Sequence, residues 1–226
     1  MKVSEWVKRH GYAAPIPSPA PKIAVRPVAL TGVRSIDRQR QSQTARAALV
    51  DLLGDGWTIA SDDRGRPTVV DAAGRRGPDV SLAHAGGLAV AAMAAVGRIG
   101  IDIELPKADR SVEAIAAWVL TAPEQALVAD GGEAALLACW TLREAAGKAL
   151  GNGLADGLAL EGEVIQAAFE RPSTVAFDGG RLALARRSLG AGSLAVAWLV
   201  PAETEGSAAV LEAVLATEWR LGGAPN

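Results

Sequence analysis

The sequence has few of the residues that mark several common protein classes. Of its 226 residues, Cys139 is the single cysteine, so no disulfide can form within the chain, and this fits a reducing compartment. The two histidines, His10 and His84, are too few for a histidine-rich metal site. A net charge of −2 gives no general attraction to nucleic acid or anionic membranes, so any basic site must be local.

Long hydrophobic runs are also missing. The longest, Ala85–Gly97, is shorter than the ~20 residues that a membrane-spanning helix needs. The N-terminus MKVSEWVKRHGY lacks the apolar stretch of a signal peptide. We therefore expect a cytoplasmic, soluble protein with no nucleic-acid partner and no membrane partner.

Helix and strand patterns both occur along the chain, so we expect a protein that contains helices and sheet. Residues 1–12 suit a short helix, and the alternate prolines of Ala13–Pro21 predict an extended linker or surface strap. The first part of the chain is then predicted to contain a strand at Lys22–Leu30, which Pro27 confines to a sheet edge, a helix at Arg34–Leu53 with its apolar face at Ala45–Leu53, two short strands within Trp57–Val70, and three antiparallel strands within Asp79–Glu104.

The second part reads as helices followed by strands. The patterns predict a helix at Ser111–Val119 with Ser111 as N-cap, a helix starting at Thr121, a long helix at Glu133–Leu150 ended by Gly151 and Gly153, strands across Val164–Val200 with a hairpin turn at Gly179-Gly180, and an amphipathic helix at Ser207–Leu221.

One internal echo is visible. Gly86–Met93, GGLAVAAM, matches Gly192–Leu199, GSLAVAWL, at five of eight positions. A protein built from two similar α+β halves would produce this echo, and so would chance in strands rich in Ala, Val and Leu. The residues alone leave the two explanations about even.

The long helix carries polar side chains at a spacing of four. Trp140, Glu144 and Lys148 therefore lie on one helix face. Taken alone, Glu144 and Lys148 are an ordinary exposed pair worth about 0.3–0.5 kcal/mol.

The stretch Ile99–Glu104 alternates cleanly between apolar and other residues. Its isoleucines share one strand face, and Gly100, Asp102 and Glu104 share the other. Most such acidic pairs are simply the wet face of a half-buried strand. Joined by Glu144, they would make a three-carboxylate set that suits Mg²⁺ holding substrate phosphates.

Three further residues have a functional and an ordinary interpretation. Arg66, on the turn Gly65-Arg66-Pro67, suits phosphate binding, although exposed arginines are usually just solvated. His84 precedes two glycines in a turn that would expose the imidazole, or it caps a backbone carbonyl. Glu124 could be a general base, but it is also the N3 residue of a Thr121…Glu124 capping box, which we slightly prefer.

Together these segments carry a resemblance. GIDIE, followed some forty residues later by WTLREAAGKALGNGL, resembles the paired signature of the 4′-phosphopantetheinyl transferases, and the length resembles their larger, Sfp-type branch. Upstream, Gly65-Arg66-Pro67 matches a G-[RK]-P element and SLAHAG resembles N-x-S-H-S-x. The resemblance spans roughly residues 45–155, in the right order.

The resemblance implies an activity and roles for residues. These enzymes move 4′-phosphopantetheine from coenzyme A to a serine of an apo acyl or peptidyl carrier protein and release adenosine 3′,5′-bisphosphate. It implies that Asp102, Glu104 and Glu144 hold Mg²⁺ (or Mn²⁺), that Lys148 neutralises charge on the transferring phosphate, and that Arg66 and His84 bind the 3′-phosphate of coenzyme A. Glu124 falls near a residue proposed as the base in some members.

It also implies a fold. The family is a pseudo-dimer of two α+β halves with the cofactor between them, which here gives a strap at residues 1–21, a first half at 22–106 and a second at 107–226. Such a chain is expected to be a monomer, with a dimer through the strap as the alternative.

Two departures from the signature keep other functions open. Arg143 stands where the family has a lysine, and Ala83 stands where it has a serine, which removes a hydroxyl donor to the 3′-phosphate. The alternatives are a non-catalytic relative that binds carrier protein or coenzyme A, and a Mg²⁺-dependent nucleotide phosphohydrolase.

Overall fold

The computed structural model describes residues 20–177, 180–202 and 210. The helices in these residues are α1 (Arg34–Leu53), α2 (Val112–Val119), α3 (Ala122–Leu150), α4 (Leu154–Leu158) and α5 (Gly162–Glu170). The strands are β1 (Lys22–Pro27), β2 (Trp57–Ser61), β3 (Pro67–Asp71), β4 (Asp79–Ala85), β5 (Leu88–Ala94), β6 (Arg98–Glu104), β7 (Ser173–Phe177), β8 (Gly180–Leu189) and β9 (Gly192–Pro201). The predicted mixture of helix and sheet is confirmed.

Two antiparallel sheets pack face to face. One has the strand order β1-β5-β4 and the other β6-β9-β8-β7, while β2 and β3 form a separate hairpin. The core between the sheets joins Val90 of β5 to Ile101 of β6, Val196 and Trp198 of β9. On the outer faces, α1 covers the first sheet and α3 covers the second.

The helix α3 lies directly on β6 because the strand offers no side chain at the contact. A Cβ atom added to Gly100 would come within 1.9 Å of the Ala145 carbonyl oxygen. Only glycine allows this approach. The consequence is that the acidic face of β6 and one face of α3 are close neighbours.

Several predicted elements are confirmed at the residue level. Helix α1 has the predicted bounds, and its buried residues, Ala45, Ala48 and Leu49, lie in the predicted half. Helix α3 comprises the two predicted pieces, joined at Gly132, which has non-helical backbone angles (φ 58°, ψ −142°). Strand β1 is an edge strand that ends at Pro27, as expected from the missing amide hydrogen.

The prediction of three consecutive antiparallel strands within Asp79–Glu104 is wrong in its third member. Strands β4 and β5 form the expected hairpin, but β6 pairs with β9 in the other sheet. The chain leaves the first sheet at a bend before β6, where Gly97 adopts φ 81°. Local alternation predicts a strand but does not name its partner.

Part of the predicted strand region Val164–Val200 is also wrong. Residues 162–170 form helix α5, which buries Ile165 and Ala168. Their spacing of three is helical, and the apolar content of the whole region had obscured it. Ser111 occupies the N-cap position of α2, but its side chain makes no capping hydrogen bond.

Some predicted elements lie outside the described residues. They are the helix at residues 1–12, most of the strap, Gly179 of the hairpin and, apart from Val210, the helix Ser207–Leu221. In the described part of the chain, no helix is both long and apolar enough to span a membrane.

Candidate active site

Side chains from β6 and α3 meet where these two elements touch. Asp102 and Lys148 form a salt bridge of 2.7 Å, and the Lys148 ammonium also donates to the Ile101 carbonyl at 3.0 Å. The Lys148 side chain keeps 28% of its exposure and that of Asp102 keeps 13%. The pair is therefore open to a ligand but poorly solvated.

Two further carboxylates, Glu104 and Glu144, interact electrostatically with Asp102 of this pair. Burial raises the pKa of Asp102, with Lys148 opposing the shift and Glu104 adding to it. Burial also raises the pKa of Glu144, and repulsion from Asp102 and Glu104 contributes in the same direction. Glu104 accepts a hydrogen bond of 3.0 Å from Arg110. The cluster therefore concentrates negative charge in a partly desolvated place.

The donor set of this cluster fits Mg²⁺. It offers carboxylate oxygens only, as a hard cation prefers, and burial, with a smaller contribution from mutual repulsion, raises the pKa of Asp102 and of Glu144. Within the described ranges, no three His, Cys, Asp or Glu side chains are already gathered as a metal cage. Asp102 and Glu104 are instead paired with Lys148 and Arg110. Metal binding by Asp102, Glu104 and Glu144 stays a prediction.

A pocket of about 340 Å³ adjoins the cluster, and it is lined partly by Arg46, His84, Asp102 and Lys148. His84 stands near the end of β4. Partial desolvation lowers the pKa of His84, although its side chain is exposed to solvent, and the positive charges of Arg38 and Lys148 lower it further. Cations on several sides make the pocket suitable for a phosphorylated ligand.

Helix α1 supplies pocket residues, and it contains the arginines of Arg34–Arg46 that could reach the cofactor but among which sequence spacing does not decide. Ser42 and Arg46 line the pocket, and Arg38 acts electrostatically on His84. The Arg46 guanidinium also donates to the Ser61 hydroxyl at 3.3 Å. Arg38, Ser42 and Arg46 are spaced by four, so they lie on one helix face.

Residues 98–198 match the model of the 4′-phosphopantetheinyl transferase superfamily. The match covers just under half of the chain, from the start of β6 into β9, and supports a transferase. A comparison with curated proteins found no match.

The phosphopantetheinyl transferase match includes only part of the candidate site. Asp102, Glu104, Glu144 and Lys148 fall within it, and His84 falls before it. The match therefore contains the three carboxylates and Lys148, which interact electrostatically with one another. The pocket formed by α1 and β4 rests on geometry alone.

The contacts of Arg66 differ from those that its predicted role, binding of the 3′-phosphate of coenzyme A, would require. It follows Gly65, whose φ of 79° turns the chain. Its guanidinium forms a salt bridge of 2.6 Å with Asp79 and also donates to the Lys148 carbonyl. Arg66 does not line the pocket, although Gly65 and Pro67 do. Phosphate binding by Arg66 stays a prediction, and its contacts indicate a structural role.

Glu124 is fully buried and lies in an ion pair. The predicted capping box is confirmed. The Glu124 carboxylate accepts a hydrogen bond from the Thr121 amide at 3.0 Å, and the Thr121 side chain accepts one from the Glu124 backbone amide. Arg143, also fully buried, donates to both Glu124 oxygens, at 2.7 and 2.5 Å. The Arg143 guanidinium further donates to the Gly157 carbonyl at 2.7 Å. No contact of Glu124 supports a general-base role, which stays a prediction.

Proposed function

We propose that this chain transfers 4′-phosphopantetheine from coenzyme A to a serine of an apo acyl or peptidyl carrier protein. The observation that carries the proposal is the convergence of three carboxylates and Lys148 inside the family-matched segment, beside a cation-lined pocket. In this reaction the serine oxygen attacks the phosphorus that bears pantetheine. The bond from that phosphorus to the bridging oxygen breaks, and adenosine 3′,5′-bisphosphate leaves.

The residues divide between charge neutralisation and substrate binding. Asp102, Glu104 and Glu144 would hold Mg²⁺, or Mn²⁺, which when bound supplies positive charge against the pyrophosphate. The Lys148 ammonium, already at the pocket wall, would donate to a phosphate oxygen. Phosphoryl-type transfer depends mainly on such positioning and neutralisation.

Two features bear on the bound nucleotide and on the proton. His84, with Arg46 and Arg38 around it, would bind the 3′-phosphate of coenzyme A. Glu144, as a metal ligand, would stay ionised, so it would not also serve as the base for the serine proton.

We further propose that the chain is an Sfp-type duplication of two halves, residues 22–106 and 107–226. Each main sheet has an inner strand that carries one of the similar segments, β5 in β1-β5-β4 and β9 in β6-β9-β8-β7, while β6, the last strand of the first half, lies at the edge of the second sheet. The echoing segments GGLAVAAM and GSLAVAWL fall largely in the inner strands β5 and β9. A single chain that contains both halves is expected to work as a monomer.

The two departures from the signature weigh differently in the structure. Arg143 is fully buried against Glu124, so it reports on packing and not on catalysis. Ala83 lines the pocket, where its methyl group replaces a hydroxyl donor. Ala83 is thus the remaining support for a non-catalytic relative.

The deciding test is the intact mass of several apo carrier proteins after incubation with this protein, coenzyme A and Mg²⁺. We expect a gain of one phosphopantetheine mass, which chelator and Glu144→Ala abolish. Glu163→Ala, an exposed helical carboxylate, is the matched control and should transfer normally. Binding of coenzyme A without any mass gain would favour the non-catalytic reading. Breakdown of coenzyme A without a carrier would favour the phosphohydrolase.

A further inference from the structure

The guanidinium of Arg66 bridges three elements. It reaches Asp79 on β4 at 2.6 Å and the Ile99 carbonyl on β6 at 3.2 Å, and it also donates to the Lys148 carbonyl near the end of α3. Its side chain is 17% exposed and that of Asp79 is 3% exposed. The pair is therefore shielded from water, and its hydrogen bonds fix backbone in addition to balancing charge.

The outer edge of β6 is satisfied by side chains. Pairing with β9 uses one edge of the strand, and the Ile99 and Ile101 amides point from the other. Asp79 accepts the Ile99 amide at 2.8 Å and Ser81 accepts the Ile101 amide at 3.1 Å. Asp79 and Ser81 lie two residues apart on β4, as do their donors on β6. The side chains of Asp79 and Ser81 thus accept the amide hydrogen bonds that a neighbouring strand would otherwise accept.

The carbonyls of the same edge are held by the two cations. The Ile99 carbonyl accepts from Arg66, and the Ile101 carbonyl accepts from Lys148, whose ammonium also contacts Asp102. Lys148 is therefore held at both ends, at its backbone carbonyl by Arg66 and at its ammonium by β6. Any shift of Arg66 moves the residues that carry the proposed chemistry.

We infer that Arg66, Asp79 and Ser81 are positioning residues that fix Lys148 and the Asp102-bearing strand relative to β4, and that Arg66 does not bind the substrate phosphate. The inference rests on the proposed transferase function for its kinetic consequence. Its structural consequence, protection of the β6 edge, is independent of any activity. The two consequences can be measured separately.

The kinetic experiment compares coenzyme A with 3′-dephospho-coenzyme A. Arg66→Gln and Asp79→Asn should lower kcat about 10- to 100-fold, because misplacement by about 1 Å costs about that much. Their preference for the 3′-phosphate, as a ratio of KM values, should stay within about twofold of wild type. His84→Gln is the comparison, since loss of a phosphate contact should reduce that preference about tenfold. Arg75→Gln, which removes an exposed arginine paired with Asp71, should leave kcat unchanged.

The two proposed partners should also be coupled. If Arg66 and Asp79 act as one unit, the double variant Arg66→Gln/Asp79→Asn should be no slower than the slower single variant. Arg66→Lys keeps a charged donor and should recover part of the lost kcat. Full additivity of the two single variants would contradict the inference.

The structural experiment is amide hydrogen exchange by NMR. Ser81→Ala, which removes no charge and should fold, is expected to speed exchange at Ile101, and Asp79→Asn at Ile99, with Arg75→Gln unchanged. Unchanged exchange at both amides would overturn the inference. So would an Arg66→Gln variant that loses the 3′-phosphate preference as fully as His84→Gln. If wild type transfers nothing to any carrier, the proposed function fails, and the exchange result alone decides the positioning role.

Discussion

Removal of the Glu124 charge tests whether this residue is structural. In Glu124→Gln the fully buried Arg143 guanidinium would lose its ion-pair partner. Breaking a buried pair by removing one partner costs about 3–5 kcal/mol, because the remaining charge stays desolvated. For a chain of this size that corresponds to a fall in Tm of about 6–20 °C. The loss is a large part of a typical total stability of about 5–15 kcal/mol.

The measurement is urea unfolding followed by circular dichroism, with the transfer assay run on the same samples below the transition. Glu113→Gln, in the first turn of α2 and exposed, is the matched control and should unfold like wild type. Glu124→Gln/Arg143→Met removes both charges and should be more stable than Glu124→Gln alone. A Glu124→Gln loss below about 1 kcal/mol would refute the ion-pair reasoning. Full stability with abolished transfer would restore the general-base role.

Three other predictions follow from burial, charge and close packing. Burial raises the pKa of Cys139 to about 12, so this thiol should resist alkylation in the native protein and react only on unfolding, as a thiol titration would show. The pKa of His84 is lowered from its ordinary value of 6.5, so the unfolded state takes up the proton first as pH falls, and the folded protein loses stability. In His84→Gln this loss of unfolding free energy between about pH 7 and pH 5 should be smaller, as urea unfolding at both pH values would show. Gly100→Ala would place a Cβ 1.9 Å from the Ala145 carbonyl oxygen, so it should separate α3 from β6 and lower both Tm and transfer. The control variant Ala114→Ser, at an exposed position, should change neither quantity.

The sequence was most informative where one segment decides its own conformation. Helix α1 and the two pieces of α3 follow from local propensity, apolar spacing and glycine stops. The capping box of Thr121 and Glu124 spans only three residues, so its geometry is local too. For the same reason the alternation in Ile99–Glu104 correctly separated the buried isoleucines from the acidic face.

The candidate site was predicted only in part because its assembly is long-range. The acidic cluster could be predicted from the sequence, since Asp102 and Glu104 share a strand face and Glu144 shares a helix face with Lys148. That these faces meet depends on Gly100, whose missing side chain lets α3 lie on β6. A spacing rule applied to one element cannot report the distance between two elements.

By itself the sequence determined the type of each strong element and the chemical character of its faces, because both depend on neighbours within about one helical turn or two strand residues. Only the tertiary structure decided that β6 pairs with β9 and not with β5, that Arg66 points inward to Asp79, and that α1 lines the pocket beside His84. These outcomes depend on which apolar faces cover each other and on which buried polar groups find partners. Such choices are made between segments far apart in the chain, where no local pattern records them.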